Sequence, residues 1–362
     1  MTRIDDSLIG EPQSLAELAA QIAVAPWVAI DTEADSLRSY PDKLCLIQVT
    51  VPSGDYLVDP MASMDMGPFF ASMMDRELIF HGADYDLRLL RRYYGFLPGS
   101  VFDTMLAARL LGIEAFGLAA LVEKFFGLKL VKSAQKADWR QRPLPRMMLD
   151  YARKDSHFLP ELATILRQSL EAQGRLTWHQ QLCARSVLEA SVCQPEDLDG
   201  RWRLKGSHRL SPRALAVLRE LWHWREQEAI EASKPPFFIV AHETLVGMAA
   251  YVAEHEPSTL TFPHYVRERR RQGALEAMRI GLMLPEENLP NNNRPRGRRL
   301  TWAEGEQMEQ YRKRRDKIAL KLGLDSSLIA TRSDLAELAL SWDEHSARMM
   351  SWQVQLLAEN GS

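Results

Sequence analysis

The sequence predicts an α/β domain followed by all-helical domains. Three observations carry that reading: short apolar, strand-like runs before residue 105, an almost unbroken helical pattern after about residue 200, and the turn-rich stretch Asn291–Gly297 between two helical blocks. With 362 residues the chain is long enough for two or three domains, and 46% hydrophobic and 26% charged residues are ordinary for a globular protein.

Each element follows from local pattern. Residues 27–33 (WVAIDTE), 44–51 (LCLIQVTV) and 55–59 (DYLVD) are apolar, partly β-branched runs with turn residues between them, which predicts three antiparallel strands. Residues 77–81 (ELIFH) predict a fourth strand. The helix that follows places Leu87, Leu90 and Tyr94 on one face and stops at Gly95. Residues 101–103 (VFD) read as a fifth strand running into the helix TMLAARLLG. From Pro145 one long helical pattern is expected, with Met148, Ala152 and Leu159 buried. A Ser-Pro start opens the helix SPRALAVLRELWHWREQEAIEA. A repeat at an offset of 90 sets Arg225 on Arg315, Ala229 on Ala319, Ile239 on Ile329 and Leu245 on Leu335, so two related helical domains are expected.

Composition excludes some classes. No apolar run approaches the roughly 18 residues of a membrane helix, and MTRIDDSLIGEPQ is too polar for a signal peptide. Cys45, Cys183 and Cys193 are odd in number and widely spaced, which argues against a disulfide framework or thiolate metal site and fits a reducing cytoplasm. The net charge is −3, yet residues 261–320 hold 14 Lys and Arg against 8 Asp and Glu, concentrated at 267–271, 294–299 and 312–317. Such clusters read either as solvated helix faces or as phosphate contacts.

The chemistry lies in carboxylates. Alternation along a strand points Asp31 and Glu33 to the same face. Tyr151 and Asp155, four residues apart, share one helix face. Asp86 falls on the first turn of a helix that follows a strand, with Asp84 nearby as a possible cap. Singly, each has an ordinary reading: a strand end meeting solvent, an amphipathic helix, a cap. Together, three or four carboxylates without a Cys/His cluster suit magnesium or manganese. Two such ions about 3.5–4 Å apart can drive phosphodiester hydrolysis.

DTEADSL…CLIQ, HGADYDLRLL, FDTMLAARLLG, ADWRQRPL and YARKDSHFL occur in the order and spacing of the DEDD exonucleases of the tyrosine subtype, the family of ribonuclease D and the eukaryotic exosome-associated exonuclease. The resemblance covers about residues 8–170. It implies a ribonuclease H-like fold, 3′→5′ exonuclease activity and two divalent ions, Mg²⁺ or Mn²⁺. By motif, Asp31, Glu33, Asp86, Tyr151 and Asp155 match the five family positions. The resemblance further implies that Asp31 bridges both ions, that Glu33 and Asp155 complete the first site, that Asp86 serves the second, and that Tyr151 positions water. Residues 208–288 resemble the HRDC domain, with a diverged second copy at about 300–345. The expected division is thus an exonuclease domain at 1–170, a helical linker at 171–207, an HRDC domain at 208–288 and a second HRDC-like domain at 289–362.

Further residues border these motifs. His81, His157, Arg140 and Arg142 are candidates for substrate contact, as is Trp139, each with a structural role as the alternative; Trp222 and Trp224 are expected in a helical core. The expected partner is RNA with a free 3′ end, above all tRNA precursors, with no membrane and no obligate protein partner. A DNA exonuclease and an inert RNA-binding adaptor are the rival readings.

Overall fold

Apolar residues fill the interior of three consecutive extended segments, and these build the centre of one sheet. The computed structural model describes residues 8–35, 38–130, 134, 137–192, 198–291 and 300–358. Among them six strands pair in the order β1-β4-β3-β2-β5-β6, with β1 at Leu8–Ile9, β2 at Trp27–Asp35, β3 at Lys43–Val51, β4 at Gly54–Val58, β5 at Glu77–Phe80 and β6 at Ser100–Asp103. Strands β3 and β4 form an antiparallel hairpin from Ile47↔Val58 to Val51↔Gly54. Parallel pairing joins β2 to β5 and β5 to β6. The carboxyl ends of β2, β5 and β6 therefore share one edge of the sheet, where open α/β sheets place ligands.

Several elements differ from expectation, among them strand β1 and the helices Gly67–Ala71 and Leu118–Phe126, which local pattern did not announce. The long pattern after Pro145 is two helices, Arg146–His157 and Leu159–Ala172, because Pro160 lacks the N–H that would continue the first. Met148, Ala152 and Leu159 are buried. A helix at Pro12–Val24 was not anticipated; it buries Leu15, Leu18, Ala19 and Ile22, an i, i+3, i+4, i+7 stripe. Cys193, residues 292–297 of the turn-rich stretch and the basic cluster at 294–299 lie outside the described residues.

The chain divides into two compact units. The second holds the described residues of Ala34–Lys43 and Cys193–Gly297. Its core gathers Leu215, Leu218, Leu221, Trp222, Ile239, Leu245 and Met278, with Trp224 packed against them. The first unit holds the described residues of Met1–Glu33, Leu44–Val192 and Arg298–Ser362. The last helical segment, expected as a separate domain from 289, shares its core with the sheet domain. Leu324, Leu328, Ile329, Leu335, Leu338 and Trp352 lie in one cluster with Phe102, Leu162, Leu166 and Leu170. Trp178 stacks on Trp352 at 4.6 Å and 12°. The buried Arg175 donates to the carbonyls of Leu110 at 2.6 Å and Leu322 at 2.8 Å, capping two helix C-termini at once.

The repeat is visible element by element. Helices Pro212–Ala232, Pro236–Ile239 and His242–Val252 recur 90 residues on as Trp302–Leu322, Ser326–Ile329 and Arg332–Leu340. Ser211 and Thr301 cap the first helix of each set, and Ser233 and Gly323 end it in the left-handed region. Arg225 donates to Val240 O at 3.4 Å and Arg315 to Ala330 O at 2.9 Å, again 90 residues apart.

Gly112 tests the packing of the last segment. Its φ is +74° and a Cβ there would lie 2.2 Å from Gly323 O, whereas Gly127, at φ +69°, has nothing within 4 Å. Gly127→Ala should lose about 1 kcal/mol for its left-handed backbone alone. Gly112→Ala should lose about 2 kcal/mol more, because two helix ends must also move apart. Urea unfolding of both variants checks the difference; equal losses would mean the approach of Gly112 to Gly323 is loose.

Candidate active site

The site grows from one strand and two helices. Strand β2 carries Asp31 and Glu33 in its second half, and the helix Arg146–His157 carries Tyr151 and Asp155. One carboxylate oxygen from each of Asp31, Glu33 and Asp155 lies within 4.8 Å of the others. Asp86 sits in the first turn of the helix Asp84–Tyr94, buried, and accepts a 2.5 Å hydrogen bond from Thr32. Asp84 does not cap that helix; it pairs with Arg88 on the surface.

Burial and mutual repulsion set the charge state. Burial first, then the charges of Asp86, Asp155 and Glu33, push the Asp31 carboxyl well above the usual range. Glu33 is raised to about 9 by burial and by Asp155 and Asp86. Asp86 and Asp155 are each raised to about 7, chiefly by burial. Tyr151, one turn before Asp155, is half-buried and donates its hydroxyl hydrogen to that carboxylate. Burial and the three nearby carboxylates raise its pKa, so the phenol keeps its proton.

Supports lie one layer out. Asp103 accepts backbone N–H groups from Gly82, Ala83, Met105 and Leu106 at 2.8–3.2 Å, fixing the turn that leads to Asp86. Thr50 Oγ1 lies 2.7 Å from Asp55 and 2.9 Å from Ser156, while His157 Nδ1 lies 2.7 Å from Asp55, so the end of the Asp155 helix is held against the β3–β4 hairpin.

The flanking candidates separate. His81 is at the sheet edge, its Nδ1 2.9 Å from Thr104 Oγ1. His157 is bound to Asp55 as described. Arg140 closes on Asp138 of its own loop. Arg142, expected to border a substrate channel, is fully used. Its five N–H groups meet both oxygens of Asp59 and the carbonyls of Cys45, Trp139 and Gln141, leaving no donor for phosphate. Trp139 is 1% exposed and belongs to the core, its ring against Tyr151. Thr32, Asp103 and Thr104 were missed by sequence reasoning. A hydroxyl or carboxylate inside an apolar strand end, which must find a partner when buried, is the signal that could have found them.

A 3′-5′ exonuclease family model matches residues 8–171 and an HRDC domain model matches residues 214–258. The ribonuclease D of Gluconacetobacter diazotrophicus is 30% identical over 299 residues, which cover 80% of this chain and 75% of that protein. The chain belongs to the ribonuclease D family. The ribonuclease D of Sphingobium indicum is 34% identical over 257 residues, 70% of this chain but only 65% of the relative's length. The crystal structure of Escherichia coli RNase D superposes with a TM-score of 0.77 at 24% identity, covering 98% of this chain and 99% of that one, a likeness of fold. In the ribonuclease D fold seen here, the described residues hold one acidic group compatible with a divalent cation, and no described helix is long and apolar enough to cross a membrane.

The raised carboxyls predict a linkage between cation and pH. Each has a folded pKa above its unfolded value near 4, so the folded state holds more protons. Without cation, the site should weaken the fold as pH rises from about 4, with the loss complete only above about 9. A divalent cation, which needs the ionised groups, should relieve that repulsion. Added Mg²⁺ or Mn²⁺ should therefore raise the melting temperature more at pH 8 than at pH 5. An increment that is the same at both pH values would rule out these carboxylates as the ligands.

Proposed function

We propose that the chain is a 3′→5′ exoribonuclease that removes nucleoside 5′-monophosphates from free RNA ends, with tRNA precursors as the substrate the resemblance favours. The observation that carries this reading is the cluster of Asp31, Glu33 and Asp155 with oxygens within 4.8 Å, beside the protonated Tyr151. Such hard oxygen donors, with no thiolate or imidazole among them, fit Mg²⁺ or Mn²⁺. Asp31, Glu33 and Asp155 would hold one cation, and Asp31 with Asp86 a second. When bound, the pair would supply Lewis acidity for activating water and for charge on the leaving 3′ oxygen.

The chain's own residues do the rest. Tyr151 keeps its proton and donates it in a hydrogen bond to Asp155, so its oxygen lone pairs would accept a hydrogen from the attacking water and orient it. Thr32 holds the Asp86 carboxylate in one rotamer. Asp103 fixes the backbone from which Asp86 projects. The buried thiols of Cys45 and Cys183, neither of them in a disulfide, support a reducing, cytoplasmic setting.

Asp31→Asn and Asp155→Asn should remain folded and lose activity by orders of magnitude, since each would remove charge from a cation ligand. Tyr151→Phe should lose less, because it removes a hydrogen-bonding hydroxyl and no charge. The decisive assay is a 5′-labelled hairpin with a single-stranded 3′ tail, with Mg²⁺ or Mn²⁺ and with chelator. The expected product is a ladder that shortens from the 3′ end and slows near the stem. Internal cuts, loss from the 5′ end, or near-normal turnover by folded Asp31→Asn would overturn the reading.

A further inference from the structure

The sheet edge carries a second polar device that the acidic cluster does not use. Strands β5 and β6 end at the paired residues Phe80 and Asp103, and the next residue on each, His81 and Thr104, meet side chain to side chain. Thr104 is fully buried. Its hydroxyl lies 2.9 Å from His81 Nδ1 and 2.9 Å from the carbonyl oxygen of Phe80. A carbonyl only accepts, and a hydroxyl has one hydrogen to give. That hydrogen goes to Phe80, so Thr104 Oγ1 must accept from His81, and Nδ1 carries the ring hydrogen. Burial holds the imidazole below its ordinary pKa, so the ring is neutral. Nε2 is left as a bare lone pair, and it makes no hydrogen bond among the described residues.

Strand order sets His81 at the end of the strand next to the one that carries Asp31 and Glu33. Strands β2 and β5 pair in parallel from Trp27↔Glu77 to Ala29↔Ile79. Asp31 lies two residues beyond the last of these pairs on β2, and His81 is the first residue beyond the end of β5, so both follow from the same end of neighbouring strands. The ring is tethered through Nδ1 to Thr104, the residue after β6, and β5 lies between β6 and the acidic strand β2 in the sheet.

A bare nitrogen repels phosphate and carboxylate oxygens and seeks a donor. The donors that every RNA 3′ end shares, whatever its base, are the hydroxyls of the terminal ribose. We infer that His81 is a specificity residue whose Nε2 accepts a hydrogen bond from a hydroxyl of the 3′-terminal ribose, with Thr104 as the positioning residue that fixes its tautomer. The inference rests on the exonuclease reading, and it gives the substrate contact expected of His81 a definite partner.

The test uses the full-length protein with Mg²⁺ and three 5′-labelled oligonucleotides that differ only in the last sugar: ribose, 2′-deoxyribose or 3′-deoxyribose. Wild-type kcat/KM for the first turnover should fall about three- to tenfold when the donating hydroxyl is removed. The deoxy sugar that shows the fall identifies the hydroxyl. His81→Ala should treat that sugar and ribose alike, a loss of discrimination that a merely structural role would not produce. A folded His81→Ala protein that keeps the wild-type discrimination overturns the inference, as does a wild type indifferent to both hydroxyls. Failure to trim any of the three would overturn the exonuclease reading itself. A second measurement needs no variant: imidazole ¹⁵N shifts of the wild type should show His81 protonated at Nδ1 and bare at Nε2, and the opposite tautomer overturns the inference.

Discussion

Asp31, Glu33 and Asp155, held within 4.8 Å of one another with Asp86 adding its charge, repel each other and resist burial, and the nuclease fold is arranged to hold them regardless. Repulsion of this kind would relax by rotating side chains outward if the backbone allowed it. Each carrier is therefore pinned from behind. Strand β2 lies inside the sheet, between β3 and β5. The Asp155 helix is buried through Met148, Leu149, Ala152 and Ser156 and tied at its end to Asp55. The Asp86 helix starts from a turn whose N–H groups all converge on Asp103. The supports are hydrogen bonds to the carboxylates of Asp103 and Asp55 together with apolar contacts, with no lysine or arginine placed in the cluster by the described residues. A site that kept its own lysine or arginine there would already be neutralised and would have no need of a divalent ion.

The helical half shows one design used twice with different consequences. Both copies keep the long helix, the short turn and the arginine that reaches back to a carbonyl. In the first copy the long helix is covered by Glu268–Met283, packed so closely that a Cβ on Gly281 would lie 2.6 Å from Val217 Cα. Ala216 and Val217 are buried beneath it. The corresponding positions of the second copy are Glu306 and Gln307, polar residues that suit a face without that cover. The second copy buries Leu328, Ile329, Leu335 and Leu338 in the core of the sheet domain instead. The two helical sets thus share the internal clamp, while their outer faces differ with what each packs against.

What could be read from sequence was whatever depends on local pattern. Strand alternation placed Asp31 and Glu33 together, the i, i+4 rule placed Tyr151 with Asp155, and Gly95 ended a helix in the left-handed region at φ +64°. The offset of 90 was visible because Arg225 and Arg315 answer the same backbone need. What escaped depended on contacts between distant segments. Nothing local in FDT says that Asp103 will collect N–H groups from residues 82 and 83, or that Thr104 will fix the ring of His81. The grouping of the last helices with the sheet domain was equally hidden, because an amphipathic helix looks the same whichever core receives it. The break at Phe158 was available in principle, since Pro160 cannot donate to a continuing helix.

Counting arginines was the least reliable guide, and the structure shows why. A guanidinium has five donors in a rigid fork, which suits carbonyls and carboxylates of the fold as well as it suits phosphate. Arg142 spends all five within its own domain, Arg175 caps two helix ends, and Arg213 reaches Leu282 and Leu284. In the basic run at 267–271, Arg269 pairs with Glu231, Arg270 with Glu228, and Arg271 with Val266 O. In the run at 312–317, Arg312 pairs with Glu309 and Asp316, and Arg315 with Asp316 and Ala330 O. A local excess of positive charge therefore overstates what is free to meet a polyanion. The surface pairs among these are worth little to stability and exchange readily for phosphate, whereas buried guanidiniums bound to carbonyls do not, because leaving would strand both partners without water. For this chain the useful count is of arginines whose acceptors are exposed carboxylates, since only those could change partners on meeting a polyanion.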